Sequence, residues 1–254
     1  MIEIKEISKT FGDRTVLTDV SFTFETGKTN LIIGESGSGK TTLLKIMVGL
    51  LAPDTGQVVY DDRVFSEMEV KQQQGVRKEI GMLFQGGALF DSMTVEENVA
   101  FPLRMFTPYS EEEIQERINF CLQKVKLDNR NKLYPAELSG GMKKRAALAR
   151  AIANNPKYLF CDEPNSGLDP RTSLVIDDLI LELTTDFNMT TVVITHDMNS
   201  VMQIGQKVMF LYGGKKWWEG NNKGVLSTTN KELLDFVYAS EFLKQLKPQK
   251  HGME

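Results

Sequence analysis

The chain has 254 residues, 41% of them hydrophobic and 25% charged, which is typical of a globular protein with one substantial core. Its formal net charge of -4 gives no overall electrostatic reason to bind nucleic acid, so we expect no nucleic-acid partner. Cys121 and Cys161 lie far apart without metal-ligand spacing, which favours a reducing compartment. The N-terminus has no signal-peptide pattern and no run of about 18 apolar residues occurs, so we expect a cytoplasmic chain.

The first part of the chain predicts a β-rich region. Residues 2–8 and 16–26 alternate apolar and polar side chains, as half-buried antiparallel strands do. A further strand is predicted over 57–65, after the turn signal Pro-Asp-Thr-Gly at 53–56. The polar tract Lys-Gln-Gln-Gln-Gly at 71–75 predicts an exposed linker.

Residues 34–41 read Gly-Glu-Ser-Gly-Ser-Gly-Lys-Thr between a strand-like segment, 29–33, and a helix-like segment, 42–47. This is the context of a P-loop, in which glycines turn successive N–H groups onto phosphates and the helix adds its positive end. A glycine-rich turn is the alternative. Lys40 can reach the β- and γ-phosphates, and the Thr41 hydroxyl can bind Mg²⁺. The predicted phosphate-binding residues are Gly34, Glu35, Ser36, Gly37, Ser38, Gly39, Lys40, Thr41 and Thr42.

The rest of the chain predicts helices followed by parallel strands. In chain order we expect a buried strand over 80–84, helices from about 95 to 155, a buried strand over 158–161, a helix over about 171–186 and a buried strand over 191–195. The first of these strands ends at Gln85. Ser110 followed by three glutamates is typical of a helix N-terminus.

Two carboxylates follow the predicted strand 158–161. We expect that strand to lie beside the P-loop strand, so that Asp162 completes a Mg²⁺ shell with Thr41. Glu163 would then polarise a water for in-line attack on the γ-phosphate, a role that contributes about 10²–10⁴ in rate. The alternative is an acidic turn after a core strand, but a P-loop in the same chain favours the Mg²⁺ and base roles.

A second anion-binding feature lies at 138–142, Leu-Ser-Gly-Gly-Met, where a helix towards Ala153 begins. Ser139, Gly140 and Gly141 at this helix N-terminus can contact a phosphate. The chain therefore has two phosphate-directed helix ends but one P-loop. The simplest interpretation is that the second end serves the nucleotide of another protomer.

These motifs resemble those of the ATPase subunits of ABC transporters. The resemblance covers about residues 1–220 and rests on 34–41, Gln85, 138–142, Asp162 and Glu163, 166–169 and His196. It implies an α/β fold in which a P-loop NTPase core carries an antiparallel β subdomain and an inserted α-helical subdomain. It also implies an ABC-type ATPase that uses ATP and Mg²⁺ and works as a dimer.

The resemblance gives roles to single residues. Phe11 resembles the aromatic residue that stacks on adenine, although a core position is its alternative. Gln85 resembles the residue that couples Mg²⁺ to the membrane partner, and Asp169 resembles the aspartate that communicates across the dimer. His196 resembles the histidine that contacts the γ-phosphate. The implied catalytic residues are Glu163 and His196, the implied metal ligands are Thr41, Gln85 and Asp162, and the implied ATP contacts beyond the P-loop are Phe11, Gln85, Ser139, Gly140 and Gly141.

Two residues depart from the family pattern. Met142 stands where a glutamine is common, and Asn165 replaces the more usual threonine before Ser166. Met142 donates no side-chain hydrogen bond, but Ser139 and Gly141 remain. The departures therefore concern signalling rather than ATP binding or dimerisation.

The resemblance also implies the domain organisation. We expect one ABC ATPase domain at 1–225, a RecA-like core at 1–85 and 156–225, a helical subdomain at about 86–155 and a C-terminal helical extension at 226–254. The extension has apolar residues at helical spacing. These are Leu233, Phe236, Val237, Phe242 and Leu246. Whether they pack on their own core or on the second protomer stays open.

The helix that begins at 138–142 is called the signature helix below. Together with segment 145–150 of that helix, segments 81–95 and 98–104 resemble the ATPase subunits of MCE-associated phospholipid transporters, including the Mla type. This implies a peripheral protein on the cytoplasmic face of the bacterial inner membrane. Its partners would be a second copy, transmembrane permease subunits and an MCE-domain lipid-binding subunit. A groove lined by Ala88, Leu89 and Phe90 could receive a permease helix; the alternative is that these side chains cap the helical subdomain.

Other functions stay open at this point. The nearest is the ATPase of a lipoprotein-releasing or small-solute ABC transporter. A soluble ABC protein acting on ribosomes or DNA usually carries two ATPase units or a long coiled-coil insertion, and neither is present. A nucleotide-gated interaction module without turnover is a further alternative.

Overall fold

The computed structural model describes residues 1–238. Within them the chain forms ten strands: β1 (Ile2–Phe11), β2 (Arg14–Phe24), β3 (Thr29–Ile33), β4 (Thr55–Tyr60), β5 (Arg63–Val64), β6 (Ile80–Leu83), β7 (Tyr158–Asp162), β8 (Thr190–Thr195), β9 (Lys207–Tyr212) and β10 (Lys215–Gly220). The same residues form nine α-helices: α1 (Lys40–Met47), α2 (Val70–Lys78), α3 (Val95–Phe106), α4 (Glu111–Lys124), α5 (Gly140–Ile152), α6 (Pro170–Asp186), α7 (Met198–Ile204), α8 (Asn222–Ser227) and α9 (Lys231–Val237). The α/β fold expected from the motifs is confirmed.

The first sheet is antiparallel and has the order β2-β1-β4-β5. Alternate residues of β1 and β2, such as Ile4 and its partner Phe22, are buried, as the alternation predicted. The single strand predicted over 57–65 is wrong in its second half. Asp61 has φ of 52°, so the chain turns back there and β5 pairs with β4 as a hairpin. Phe65 then starts a short 3-10 turn.

The second sheet has the order β10-β9-β3-β8-β7-β6. Its strands are parallel except β10, which pairs antiparallel with β9. Residues of β3 and β8 are buried on both faces, because Leu31 and Ile33 face one apolar core while Ile32 faces the other. The expectation that Asp162 lies on the strand beside the P-loop strand is wrong, since β8 lies between β3 and β7.

The tract predicted as a linker at 71–75 belongs to α2. The helix begins with a capping-box arrangement, in which the Glu69 N–H donates to the Gln72 side-chain oxygen at 3.1 Å. Val76 is buried, and the Arg77 guanidinium donates to the Gly49 carbonyl oxygen at 2.8 Å. End capping and two inward contacts therefore stabilise a helix that has almost no apolar face.

Helices α3, α4 and α5 lie between β6 and β7 in the chain, where the helical insertion was predicted. Ser110 accepts the Glu113 N–H and begins α4, as predicted. The C-terminal extension contributes α9. Its Leu233 and Val237 are buried in the same apolar core as Leu31 and Ile33, called the main core below, and the ring centroids of Phe236 and Phe210 lie 5.4 Å apart. The described part of the extension therefore packs on its own chain; the predicted contacts of Phe242 and Leu246 lie outside the described residues.

Within residues 1–238, none of the helices has both the length and the apolar character needed to cross a membrane.

Candidate functional site

The P-loop joins β3 to α1 and takes its shape from glycines. Gly34, Gly37 and Gly39 have φ of 153°, 81° and 104°, values that favour glycine. A Cβ at Gly34 would also stand 2.3 Å from a carbonyl oxygen of β9. Lys40 begins α1 and donates from Nζ to the carbonyl oxygens of Gly34 and Glu35, both at 2.8 Å. The loop is therefore closed around its own lysine.

Three features of this loop suit a phosphate and Mg²⁺. The Ser38 hydroxyl is buried in the described part of the chain without a hydrogen-bond partner, so it has capacity for a ligand atom. Burial lowers the pKa of Lys40, and the charges of Glu163, Asp162 and Glu35 act in the opposite direction. Thr41 adds a hydroxyl at the start of α1, where the helix dipole favours anions.

Glu163 and His196, the predicted catalytic pair, lie in contact. His196 Nδ1 stands 2.9 Å from Glu163 Oε1, and because a carboxylate only accepts, the ring nitrogen is the donor. Glu163 has φ of 47° and its N–H donates to the Ile194 carbonyl oxygen at 2.9 Å, which orients it from β8. The pKa of the neighbouring Asp162 is raised by burial and by the Glu163 charge, against the effect of Lys40.

A cavity of about 660 Å³ surrounds this pair. Of the predicted site residues it is lined by Glu35, Ser36, Glu163 and His196, which the fold brings together from three strand ends. Phe236 and Val237 of α9 line it too. Sequence analysis missed their contribution to the cavity, although the helical spacing of the extension marked both as packing residues.

A second cavity, of about 370 Å³, lies at the other side of the P-loop. The predicted nucleotide-binding residues that line it are Phe11, Gly37, Gly39, Lys40, Thr41 and Thr42. Phe11 is 48% exposed, so it is not a core residue. Arg14 and Val16 also line this cavity and were missed; the register that pairs Phe11 with Arg14 across the turn could have indicated them.

The remaining predicted site residues are not among the lining residues of either cavity. Ser139 is the N-cap of α5 and accepts the Met142 N–H at 3.3 Å, with Gly140 and Gly141 in the first turn. These three residues line neither cavity. The Gln85 amide donates to the Ser166 hydroxyl at 3.2 Å. Within residues 1–238 there is no group of three or more His, Cys, Asp or Glu side chains able to hold a metal, and the predicted set of Thr41, Gln85 and Asp162 has one carboxylate.

An apolar groove of about 420 Å³ lies between β6, α3 and α5. Ala88 and Phe90 line it, as the sequence predicted. Leu89 does not, because its side chain packs inward against the main core. Arg150 at the rim donates to the carbonyl oxygens of Gly87 and Ala88, at 2.9 and 2.7 Å, which fixes the segment after Gln85.

Comparison with known proteins gives the family. The ABC transporter family model matches residues 17–166. The chain is 39% identical to the methionine import ATP-binding protein MetN of Campylobacter jejuni, across 100% of this chain and 79% of that protein. It is 38% identical to the intermembrane phospholipid transport system ATP-binding protein MlaF of Haemophilus influenzae, across 93% of this chain and 90% of that protein.

A solved structure agrees with these sequence matches. It is a dimeric ATP-binding cassette in a post-hydrolysis state with ADP and Pi, and it matches with a TM-score of 0.79 and 32% identity over 87% of this chain and 99% of that one. The chain therefore belongs to the ABC transporter family. It is an ATPase subunit of an ABC transporter, which hydrolyses ATP and uses Mg²⁺.

Proposed function

We propose that this ATPase drives a phospholipid transporter of the MCE/Mla type. The observation that carries the proposal is the match to an intermembrane phospholipid transport ATPase over nine tenths of both chains. In this proposal two copies of the chain bind permease subunits on the cytoplasmic face of the bacterial inner membrane, together with an MCE-domain lipid-binding subunit. The match to a methionine import ATPase at 39% identity supports a small-solute transporter as the second candidate.

We infer the following roles at the nucleotide. Phe11 would stack on adenine at one end of the P-loop, and Lys40 would hold the β- and γ-phosphates. Thr41, Gln85 and Asp162 would hold Mg²⁺, which supplies charge neutralisation on the phosphate oxygens. The partner copy would complete each site with Ser139, Gly140 and Gly141, because these residues line neither nucleotide cavity of their own chain.

Glu163 is our candidate general base. Its carboxylate faces the large cavity and is held by His196 Nδ1. Glu163 would take a proton from water as the water oxygen forms a bond to the γ-phosphorus and the bond to the β-phosphate oxygen breaks, releasing ADP and phosphate. His196 would orient the carboxylate and, once the nucleotide is bound, contact the γ-phosphate.

The groove between β6, α3 and α5 is our candidate permease site. Phe84, Phe90, Phe101 and Phe106 give it an apolar floor and exposed rings. Its rim is basic, since Arg77, Lys78 and Arg150 also line it. These features fit an amphipathic helix that carries apolar anchors and an acidic residue. Gln85 lies one residue after Phe84, so a helix seated there would act directly on the segment that leads to the nucleotide.

Glu163→Gln tests the ATPase half of the proposal. Glutamine keeps the shape of the side chain but is a far weaker base, so we expect turnover to fall by about 10²–10⁴ with ATP binding retained. The variant should accumulate as a dimer in ATP, measured by size exclusion. Turnover at the native rate in a phosphate-release assay would remove Glu163 from the role of base.

Purification of the complete complex from membranes tests the transporter half. With a tag on this chain, we expect permease subunits, an MCE-domain subunit and bound phospholipid to copurify, with ATPase activity that phospholipid stimulates. The Glu163→Gln complex is the matched control, since it should contain the same subunits and lipid without turnover. Copurification of an amino-acid or lipoprotein transport permease without phospholipid would reject the phospholipid assignment.

A further inference from the structure

Lys144 carries a buried cation that contacts the backbone at two proposed site residues, Gln85 and Glu163. It lies on α5, five residues after Ser139, and is 6% exposed. In the described residues its ammonium group has no ion pair with a carboxylate. It donates instead to two backbone carbonyl oxygens, those of Gln85 and of Glu163, the second at 3.4 Å. A helix that begins at the signature residues thus bonds directly to the backbone of the candidate base.

These bonds belong to a closed ring. The Glu163 carbonyl oxygen also accepts the Ser166 N–H at 3.1 Å. The Ser166 hydroxyl accepts from the Gln85 amide at 3.2 Å, and the Gln85 carbonyl oxygen accepts from Lys144. The ammonium group therefore joins three chain segments, α5, the segment after β6 and the end of β7, and Ser166 adds the loop before α6 to the ring. Glu163 is held at both its N–H and its C=O, in a left-handed conformation at φ of 47°.

Stability does not explain a lysine at this position. The Lys144 ammonium group is removed from water, and among the described residues no ion pair compensates it, so its burial costs free energy. Apolar side chains of similar volume at such positions are often neutral or stabilising. The cation is therefore better explained by what its two hydrogen bonds hold in place.

We propose that Lys144 is a positioning residue that couples the signature helix α5 to the candidate base Glu163 and to Gln85. This inference rests on the proposed roles of Glu163 and of Ser139, whose helix end would contact the nucleotide of the partner copy. When that contact moves α5, Lys144 moves the backbones of Gln85 and Glu163 with it. The nucleotide bound to the partner copy, through Ser139, thereby sets the position of Glu163 at the nucleotide bound to this copy.

Lys144→Met tests the coupling, because methionine keeps the length of the side chain and removes the donor and charge. We expect kcat to fall at least tenfold while KM changes less than threefold. The unfolding temperature should be unchanged or higher. In a Glu163→Gln background, Lys144→Met should still form the ATP-dependent dimer. Lys144→Arg, which restores a cationic donor, should recover part of kcat.

Lys143→Met is the matched control, since it removes one charge from the same helix at a less buried position. We expect it to keep kcat within about twofold of the native chain. Native kcat for Lys144→Met would overturn the coupling, as would a loss of kcat in step with a lower unfolding temperature that Lys144→Arg does not rescue. Native turnover of Glu163→Gln alone would instead overturn the proposed base, so the two failures are distinguishable.

Discussion

Asp177 provides a test of how burial and ionisation act in this fold. It lies on α6, is 1% exposed, and accepts hydrogen bonds from the Asn165 amide at 2.9 Å and from the Ser200 hydroxyl. Burial raises the pKa of Asp177 from 3.8 to about 6, and the hydrogen bonds only partly oppose it. Its second carboxylate oxygen is buried without a partner in the described part of the chain. The ionised form is therefore costly at neutral pH.

The sign of the effect follows from proton binding. Between pH 3.8 and about 6 the native chain keeps a proton on Asp177 that the unfolded chain has lost, so stability falls as the pH rises through this window. At about 1.4 kcal/mol for each pH unit, the whole interval corresponds to about 3 kcal/mol. This destabilisation is complete above the folded pKa and absent below the unfolded one.

Asp177→Asn removes the ionisation and keeps an oxygen that can accept from Asn165. We expect the variant to be more stable than the native chain by up to about 3 kcal/mol at pH 8 and by about half of that at pH 5. Urea unfolding at both pH values measures the difference. Asp178→Asn is the control, because Asp178 is the next residue on α6 and is exposed; it should change stability by less than about 0.5 kcal/mol.

Two results would refute this reasoning about Asp177. An equal gain at pH 5 and pH 8 would mean that the substitution acts through packing rather than ionisation. A loss of stability at pH 8 would mean that the hydrogen bonds to the carboxylate outweigh the cost of burying it.

Two further predictions concern the nucleotide site. Phe11→Ala should weaken binding of a fluorescent ATP analogue about tenfold, because base stacking contributes about 1–3 kcal/mol, whereas Phe11→Tyr should bind normally; equal affinity for all three chains would exclude stacking. Gly39→Ala should cost about 1–3 kcal/mol of stability and impair ATP binding, since φ is 104° and the new Cβ would stand 2.7 Å from a Leu17 methyl. Gly75→Ala in α2 is its control and should stabilise by about 0.5–1 kcal/mol; destabilisation there would contradict the helix.

Local chemistry made parts of the site predictable from sequence. The P-loop needs glycines at fixed positions beside a lysine, and the carboxylates of Asp162 and Glu163 follow directly from a buried strand, so both motifs can be read within one short segment. The six-residue strand β8 and the alternating strands β1 and β2 could likewise be predicted from short stretches of sequence. For these segments the expected and observed local structures agree.

Features set by tertiary contacts were not predictable in the same way. The order of parallel strands depends on crossovers, so nothing in 158–163 indicated that β8 would separate β7 from the P-loop strand. The tract 71–75 lacks an apolar period, and the helix there depends on the capping pair Glu69 and Gln72 and on the contact of Arg77. The capping pair was visible in the sequence; the partner of Arg77 was not.

The two departures from the family pattern have a common structural explanation. Met142 packs its side chain against the main core and uses only its backbone N–H towards Ser139. Asn165 is buried and donates from one amide nitrogen to Asp177 and to Ser200, which joins the loop after Glu163 to α6 and α7. Both side chains therefore turn inward. Neither change removes the Ser139 hydroxyl, a P-loop glycine or Glu163, so the groups proposed to meet the phosphates stay the same. Asn165 additionally ties the loop after Glu163 to α6 and α7.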